Sequence, residues 1–144
     1  MAEAVATLPA DPERVFAVLS DPYTYDDWVI GVTKIRDADE TWPAPGSRLH
    51  HRVGVGPVGI DDHTEVLSSE PPHRLVLRSR VRPLATARVT IELTPEGVGT
   101  RVRMTEVPGD PVSRLLHNPV FDRLTAMRNV RALARLARVV AGSG

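Results

Sequence analysis

The segment from Ser47 to Val66, SRLHHRVGVGPVGIDDHTEV, concentrates side chains that could perform chemistry. It holds three of the chain's five histidines together with three carboxylates. Imidazole and carboxylate groups are common metal ligands and the usual participants in general acid–base catalysis. The residue types alone therefore allow a metal site, an acid–base centre or a charged hairpin.

Strand periodicity divides these side chains into two sets, because neighbouring residues in a strand point to opposite faces of a sheet. His50 and His51 therefore cannot serve one site, and neither can Asp61 and Asp62. The set that carries most of the apolar residues should face the core, and it consists of Leu49, His51, Val53, Val55, Ile60, Asp62, Thr64 and Val66. His51 and Asp62 are thus predicted on the inner face.

The register of the hairpin decides which inner side chains meet. A turn at residues 56–59 would place His51 opposite Thr64. The same turn would place Val53 opposite Asp62, which makes Asp62 a diagonal neighbour of His51. Leaving such polar groups buried and unpaired costs roughly 1–3 kcal/mol. Either they satisfy each other, or the inner face encloses a wet cavity.

The outer face of the same hairpin holds the remaining polar side chains. This register predicts His50 opposite Glu65 and Arg52 opposite His63. Nothing in the pattern would fix these side chains or exclude water from them. We therefore expect a solvated polar face, with neither a metal site nor a bound cofactor.

The order of elements predicts an α+β fold. The stretch EAVATLPA alternates as a strand does, and two short helices should begin at the Asp-Pro pairs of Asp11 and Asp21. Further strands are predicted at residues 32–40, 48–55, 60–68, 74–82, 86–94 and 99–107. A helical turn is predicted from Pro111 to His117. Successive strands with short turns form an antiparallel meander.

The inner face of this meander continues onto the later strands. Alternate residues there place Leu77, Ser79, Val89 and Met104 with the inner side chains of the first hairpin, and the edge of this face reaches Glu106. The predicted register sets Val89 opposite Met104 and Ala87 opposite Glu106. Apolar walls with a few inward polar groups are typical of a ligand pocket, and a satisfied core is the alternative.

A long helix is predicted from Asn118-Pro119 to about Ala141, because an Asn-Pro pair supplies a cap and a first helical residue. Its apolar stripe should cover one face of the sheet and consists of Val120, Leu124, Met127, Val130, Leu133, Ala134, Ala137 and Val140. The opposite side carries Arg128, Arg131, Arg135 and Arg138. Because the formal net charge is zero, we expect a solvated basic face rather than a nucleic-acid surface.

Composition restricts the possible classes of protein. The 144 residues suit one domain, residues 1–144, and 18 basic residues balance 18 acidic ones, so no global field would recruit nucleic acid. The absence of cysteine excludes disulfides, a thiol nucleophile and zinc–thiolate sites. With no signal-peptide pattern and no apolar run long enough to span a bilayer, we expect a cytoplasmic protein without stable membrane insertion.

Four stretches carry a resemblance to a known family. They are LPADPERVFAVLSDPYTYDDW near the start, SSEPPHRLVLRSR at a proline-rich joint, EGVGTRVRMTE in the last hairpin, and the closing helix. Together they resemble the START-like superfamily and, within it, the bacterial polyketide-cyclase/dehydrase-like group of SRPBCC proteins. The resemblance covers nearly the whole chain.

This resemblance implies a helix-grip fold, in which a seven-stranded antiparallel sheet curls around the long C-terminal helix. An elongated cavity would lie between sheet and helix, with the two short helices at its mouth. Relatives bind lipids, sterols, polyketides and other apolar molecules; some are cyclases, and others are carriers. The group has no invariant catalytic residue, so the resemblance assigns no catalytic role here.

Combining the resemblance with the strand pattern gives a set of candidate cavity residues. Tyr25 and Trp28 would border the mouth, because four of the six aromatic residues fall between Tyr23 and Trp42. The full candidate set is Tyr25, Trp28, His51, Val53, Asp62, Thr64, Leu77, Ser79, Val89, Met104, Leu124 and Met127.

Three functions remain open from the sequence. The first is a binding protein for a small apolar, lipid-like or polyketide-like molecule, whose polar end His51, Asp62, Thr64 and Ser79 would orient. The second is a cyclase or dehydratase in which His51 acts as the base and Asp62 orients it. The third is an interaction module with a vestigial cavity. An accessible cavity of roughly 300 Å³ or more would favour the first two.

Overall fold

The computed structural model describes residues 1–55, 57–81 and 85–143. Within these ranges the chain begins with β1 (Ala2–Leu8), α1 (Pro12–Leu19), a 3₁₀ turn (Pro22–Thr24) and α2 (Tyr25–Trp28). Six strands follow: β2 (Val32–Ala38), β3 (Arg48–Val55), β4 (Val58–Glu70), β5 (Arg74–Val81), β6 (Ala85–Glu96) and β7 (Gly99–Pro108). Two helices, α3 (Pro111–Leu116) and α4 (Pro119–Gly142), complete the fold. Residue 82, the predicted end of a strand, lies outside the described residues.

The strands form one antiparallel sheet in the order β1-β7-β6-β5-β4-β3-β2. Strands β2 to β7 are a meander, and β1 closes the sheet by pairing with β7. The long helix α4 packs against β1 and α2. The predicted α+β architecture, with seven strands, two short helical segments after the first strand and a long C-terminal helix, is therefore confirmed.

The capping residues place the helices as predicted. Asp11 accepts a hydrogen bond of 2.9 Å from the backbone N–H of Arg14 at the start of α1. Asn118 accepts one of 2.9 Å from the backbone N–H of Phe121 at the start of α4. Asp21 caps the 3₁₀ turn in the same way. In each case proline follows the cap, where its fixed φ and missing N–H suit the first helical position.

The register of the β3–β4 hairpin differs from the predicted register by two residues. Val55 pairs with Val58, so His51 lies opposite Asp62 and Leu49 lies opposite Thr64. The predicted turn at residues 56–59 was too long, and Gly56 itself lies outside the described residues. Because side chains alternate with a period of two, a slip of two residues changes each partner but leaves every side chain on its predicted face.

The β6–β7 hairpin shows the same difference. Val89 lies opposite Glu106 rather than Met104, because Glu96 pairs with Gly99. The chain turns through Gly97, whose φ of 58° is the left-handed conformation that tight hairpin turns require. β6 consequently extends two residues farther toward the turn than predicted, to Glu96, while β7 begins at Gly99 as predicted.

The core lies between the inner face of the sheet, α1, α2 and the C-terminal half of α4. Its most deeply buried members are fully excluded from solvent and include Val15, Leu19, Leu133, Leu136 and Val140. Phe16, which the sequence assigned to packing of the first short helix, is 4% exposed. These contacts anchor α4 at its C-terminal end, beyond the part that faces the candidate site.

The buried face of α4 differs from the predicted stripe in its N-terminal half. Val120, Leu124, Met127 and Val130 are 54–69% exposed, while the buried residues include Asn129, Ala132 and Leu136. The physical reason is that this half of α4 lies over a cavity, whose wall accepts polar side chains, and not over a packed apolar layer. No helix within the described ranges combines the length and apolar content needed to cross a membrane.

Candidate functional site

A cavity of about 520 Å³ lies between the inner face of the sheet, α2 and the N-terminal half of α4. Apolar side chains that alternate along β3, β5, β6 and β7 form most of its wall: Leu49, Val53, Leu77, Val89, Ile91 and Met104. Small-molecule sites in proteins usually measure 300–1,000 Å³ and are lined in this way. The volume and the lining therefore suit a small organic ligand.

The cavity opens beside the junction of α3 and α4. The lining residues that are exposed to solvent are His117, between the two helices, and Phe121 and Arg128, in the N-terminal half of α4. Phe121 is 61% exposed although it also contributes to the cavity wall. We call this end the mouth of the cavity.

His51 is a buried titratable group of the cavity wall. Its side chain lies on β3 and is 2% exposed. The ring Nε2 is 2.9 Å from the Thr64 hydroxyl oxygen, while the buried Nδ1 has no hydrogen-bond partner among the described residues. Burial lowers the pKa of His51 to about 4, against the opposing effect of the Asp62 carboxylate. His51 is therefore neutral at physiological pH.

Asp62 lies behind this wall and does not line the cavity. It is the strand partner of His51 on β4 and is 3% exposed. One of its carboxylate oxygens accepts a hydrogen bond of 2.9 Å from the backbone N–H of His63. The only ring hydrogen bond that the described residues give His51 goes to Thr64, so the hydrogen-bonded His51–Asp62 pair considered from the sequence is not formed.

The aromatic residues of α2 combine packing with lining. The Tyr25 hydroxyl donates a hydrogen bond of 2.7 Å to the carbonyl oxygen of Leu19, and burial raises its pKa. The Tyr25 ring centroid lies 4.8 Å from that of Trp28 and 5.5 Å from that of Trp42. The rings of Tyr25 and Trp28 line the cavity, but the Tyr25 hydroxyl is already engaged with the backbone.

A charged network joins α4 to β7 near the mouth. Arg128 donates to both carboxylate oxygens of Glu106, at 2.6 and 2.8 Å. The Asn129 side-chain amide donates to the same carboxylate at 3.3 Å. The sequence analysis predicted Arg128 on the solvated basic side of α4, and this prediction was wrong because Arg128 lines the cavity. The face that α4 turns toward the sheet is rotated from the predicted face.

The structure places most of the predicted site residues around one space. Those that line the cavity are Tyr25, Trp28, His51, Val53, Thr64, Leu77, Ser79, Val89 and Met104. Leu124 and Met127, which are 60% and 54% exposed, lie on the outer side of α4 and not at the cavity. The sequence reasoning missed Phe121, Thr125, Arg128 and Asn129. Asn129 is the single amide side chain in α4, and this was the available signal in the sequence that part of the helix faces a polar site.

The outer histidines form a separate arrangement. His50 lies opposite His63 rather than Glu65, and their ring centroids are 6.2 Å apart. Glu65 instead accepts a hydrogen bond of 2.6 Å from Arg78, and this contact lowers the pKa of the Glu65 carboxyl. Within the part of the chain that the structure describes, no group of three or more His, Cys, Asp or Glu side chains is placed to hold a metal ion.

Comparison with solved structures supports the helix-grip architecture. Protein MLL2253 from Mesorhizobium loti aligns with a TM-score of 0.71 and 20% identity over 99% of this chain and 98% of its own. A Rhodobacter sphaeroides protein aligns with a TM-score of 0.73 and 23% identity over 97% and 91%. DynU16, from the dynemicin biosynthetic locus, aligns with a TM-score of 0.68 and 19% identity over 97% and 46%. At these identities the likeness shows the fold alone.

Family membership rests on the sequence itself. No curated protein matches the chain. The family model described as "Polyketide cyclase / dehydrase and lipid transport" matches residues 2–141. This match includes β1, the whole meander and nearly all of α4. The chain therefore belongs to the polyketide cyclase/dehydrase and lipid transport family.

Proposed function

We propose that the protein binds a small, largely apolar molecule of the lipid-like or polyketide-like class in this cavity. The observation that carries the proposal is the 520 Å³ cavity with apolar walls contributed by four strands. Transfer of apolar surface from water into such a space supplies affinity, at roughly 25 cal/mol per Å² of surface buried. A cavity already present in the fold also avoids much of the cost of ordering a site on binding.

The polar groups of the wall favour a ligand whose polar end is uncharged. His51 and Thr64 form one polar patch, and Ser79 is the strand partner of Thr64 on β5. Trp28 also lines the cavity, but its indole N–H is closed off from solvent and has no hydrogen-bond partner among the described residues. A carbonyl, hydroxyl or phenol group would suit these neutral donors and acceptors.

The charged lining residues support the same choice. Among the described residues, these charged side chains pair with one another. Glu106 pairs with Arg128, and Asp122 pairs with His117 at 2.7 Å. A charged ligand would lose its hydration without gaining an unpaired partner in the wall, which is unfavourable. A neutral polar end avoids this cost.

A cyclase or dehydratase activity is the second candidate, because the matching family model names both. In that reaction His51 would remove a proton from an acidic methylene group, and Thr64 would orient the ring. A pKa of about 4 keeps His51 unprotonated but makes it a weak base, whereas efficient general bases have a pKa near the working pH. Binding is therefore the better supported function.

Native mass spectrometry of protein purified without denaturation from its own host tests the proposal. We expect a co-purified neutral molecule whose mass separates from the protein on unfolding. An apolar fluorescent dye added to delipidated protein should also bind and be displaced by that molecule. The proposal is wrong if neither the dye nor any host molecule binds to folded protein.

A further inference from the structure

An apolar strip covers the outer side of α4 and the adjoining end of α3. Its residues are Leu115, Val120, Phe121, Leu124, Met127 and Val130, with exposures between 54% and 85%; we call them the outer α4 surface. Val120, Leu124 and Met127 follow helical spacing and so share one face of the helix. Contiguous exposed apolar groups of this kind mark interaction surfaces.

Unpaired positive charge flanks this strip. Arg123, Arg131, Arg135 and Arg138 are exposed, and none makes an ion pair with the described residues. The single acidic residue of α4, Asp122, is hydrogen-bonded to His117. The formal net charge of the chain is zero, but the charge on this helix is strongly positive.

The outer α4 surface is continuous with the mouth of the cavity. Phe121 belongs to both, because its side chain lines the cavity and is also 61% exposed. His117, just before α4, lines the mouth as well. An apolar molecule at this surface would therefore reach the cavity past Phe121 without a full transfer through water.

We propose that the outer α4 surface docks reversibly on an anionic lipid bilayer, with the cavity mouth turned toward the membrane. In a bilayer, the phosphate groups would contact the arginines and the hydrocarbon beneath them would contact the apolar strip. Interfacial amphipathic helices bind membranes through the same two contacts. The role of the mouth in this arrangement rests on the proposed binding function. Docking itself requires only the surface.

Other occupants fit the surface less well. A second copy of the chain, packed symmetrically through the same strip, would bring the arginines of both helices together, and like charges in contact oppose association. An acidic protein would satisfy the arginines, and it is the occupant that the experiment must distinguish from a bilayer.

Vesicle flotation of the full chain tests the proposal. Vesicles of phosphatidylcholine mixed with phosphatidylglycerol in equal amounts should carry the protein upward, and vesicles of phosphatidylcholine alone should carry less. Leu124→Asp should abolish flotation. Each of Arg131→Glu and Arg135→Glu should weaken binding at least fivefold, since one basic residue near an anionic surface contributes about that factor. Added salt should weaken binding by screening.

Matched controls come from exposed residues elsewhere. Val98→Asp changes a valine that is 99% exposed in the β6–β7 turn, and Arg101→Glu reverses an exposed charge on β7. Both variants should float like the unchanged protein. Leu124 lies outside the cavity lining, so Leu124→Asp should still bind the apolar dye, which shows that it remains folded.

The outcomes separate this inference from the proposed function. Dye binding without flotation on anionic vesicles overturns the docking proposal and leaves the binding function standing. Flotation without dye binding overturns the proposed binding function and leaves the docking proposal standing. If the protein is retained on immobilised polyglutamate but does not float with vesicles, the surface binds an acidic protein and the bilayer proposal is overturned. If the protein is a dimer in solution and Leu124→Asp dissociates it, the surface binds a second copy of the chain and the bilayer proposal is overturned.

Discussion

His51 and Thr64 are joined across β3 and β4 by a hydrogen bond of 2.9 Å between Nε2 and the hydroxyl oxygen, although they are not strand partners. The bond holds the imidazole against the cavity wall and leaves Nδ1 without a partner among the described residues. An unpaired buried polar atom costs about 1–3 kcal/mol. Nδ1 is also closed off from solvent, so His51 contributes to the site through its ring and its contact with Thr64, since both residues line the cavity.

The first prediction compares the two adjacent histidines. His51→Ala should weaken binding of the neutral ligand or dye by about 2- to 10-fold, because a typical hydrogen bond contributes 0.5–1.5 kcal/mol. His50→Ala should leave affinity unchanged, since His50 lies on the outer face beside His63. Fluorescence titration of both variants provides the measurement. Equal losses at the two positions would contradict the assigned faces.

The second prediction concerns the pH dependence of stability. The pKa of His51 falls from 6.5 to about 4 on folding because burial disfavours the charged ring. Between these pH values the unfolded chain therefore binds more protons than the folded protein. His51 consequently lowers the free energy of unfolding as the pH falls below 6.5, by at most about 1.4 kcal/mol per pH unit.

Urea unfolding at several pH values measures this slope. His51→Gln should lose less stability than the unchanged protein when the pH falls from 6.5 to about 4, because glutamine does not titrate. Above pH 6.5 the difference between the two proteins should be constant. His50→Gln serves as the matched control. A slope that persists undiminished in His51→Gln would show that His51 is not buried in its neutral form.

The third prediction tests the cavity by filling it. Leu77→Trp or Val89→Trp would place an indole in the 520 Å³ space, and dye affinity should fall at least 10-fold. Overpacking a dense core costs typically 1–3 kcal/mol, but an existing cavity should reduce this penalty. Val58→Trp is the control, because Val58 is 73% exposed. Unchanged dye binding in a folded Leu77→Trp would place the ligand elsewhere.

The alternation of residues along the strands was sufficient to predict the faces of the sheet but not the partners. Leu77, Val89 and Met104 face inward because the side-chain period is two, whatever the register. The register depends on the length of each turn, and both tight hairpins have shorter turns than predicted. That error moved His51 from a position opposite Thr64 to one opposite Asp62.

The face of α4 could not be predicted from its apolar residues. A hydrophobic stripe normally marks the buried side of a helix, and it does so at Leu133 and Val140. Toward the N-terminal end, α4 covers a cavity and presents Thr125 and Asn129 to it. Leu124 and Met127 therefore face outward. The exposed stripe was visible in the sequence, but the hollow space that explains it was not.

The fourth prediction concerns the Glu106–Arg128 contact, which connects β7 to α4 at the mouth. The Arg128 side chain is 44% exposed, so solvent screens the pair. A double-mutant cycle with Glu106→Gln and Arg128→Met should therefore give a coupling energy of only about 0.5–1 kcal/mol. The larger effect should be kinetic, because the pair bridges β7 and α4 beside the mouth. Arg128→Met should accelerate dye release in stopped-flow measurements, while Arg101→Met should not. Release at the original rate would mean that the ligand leaves by another route.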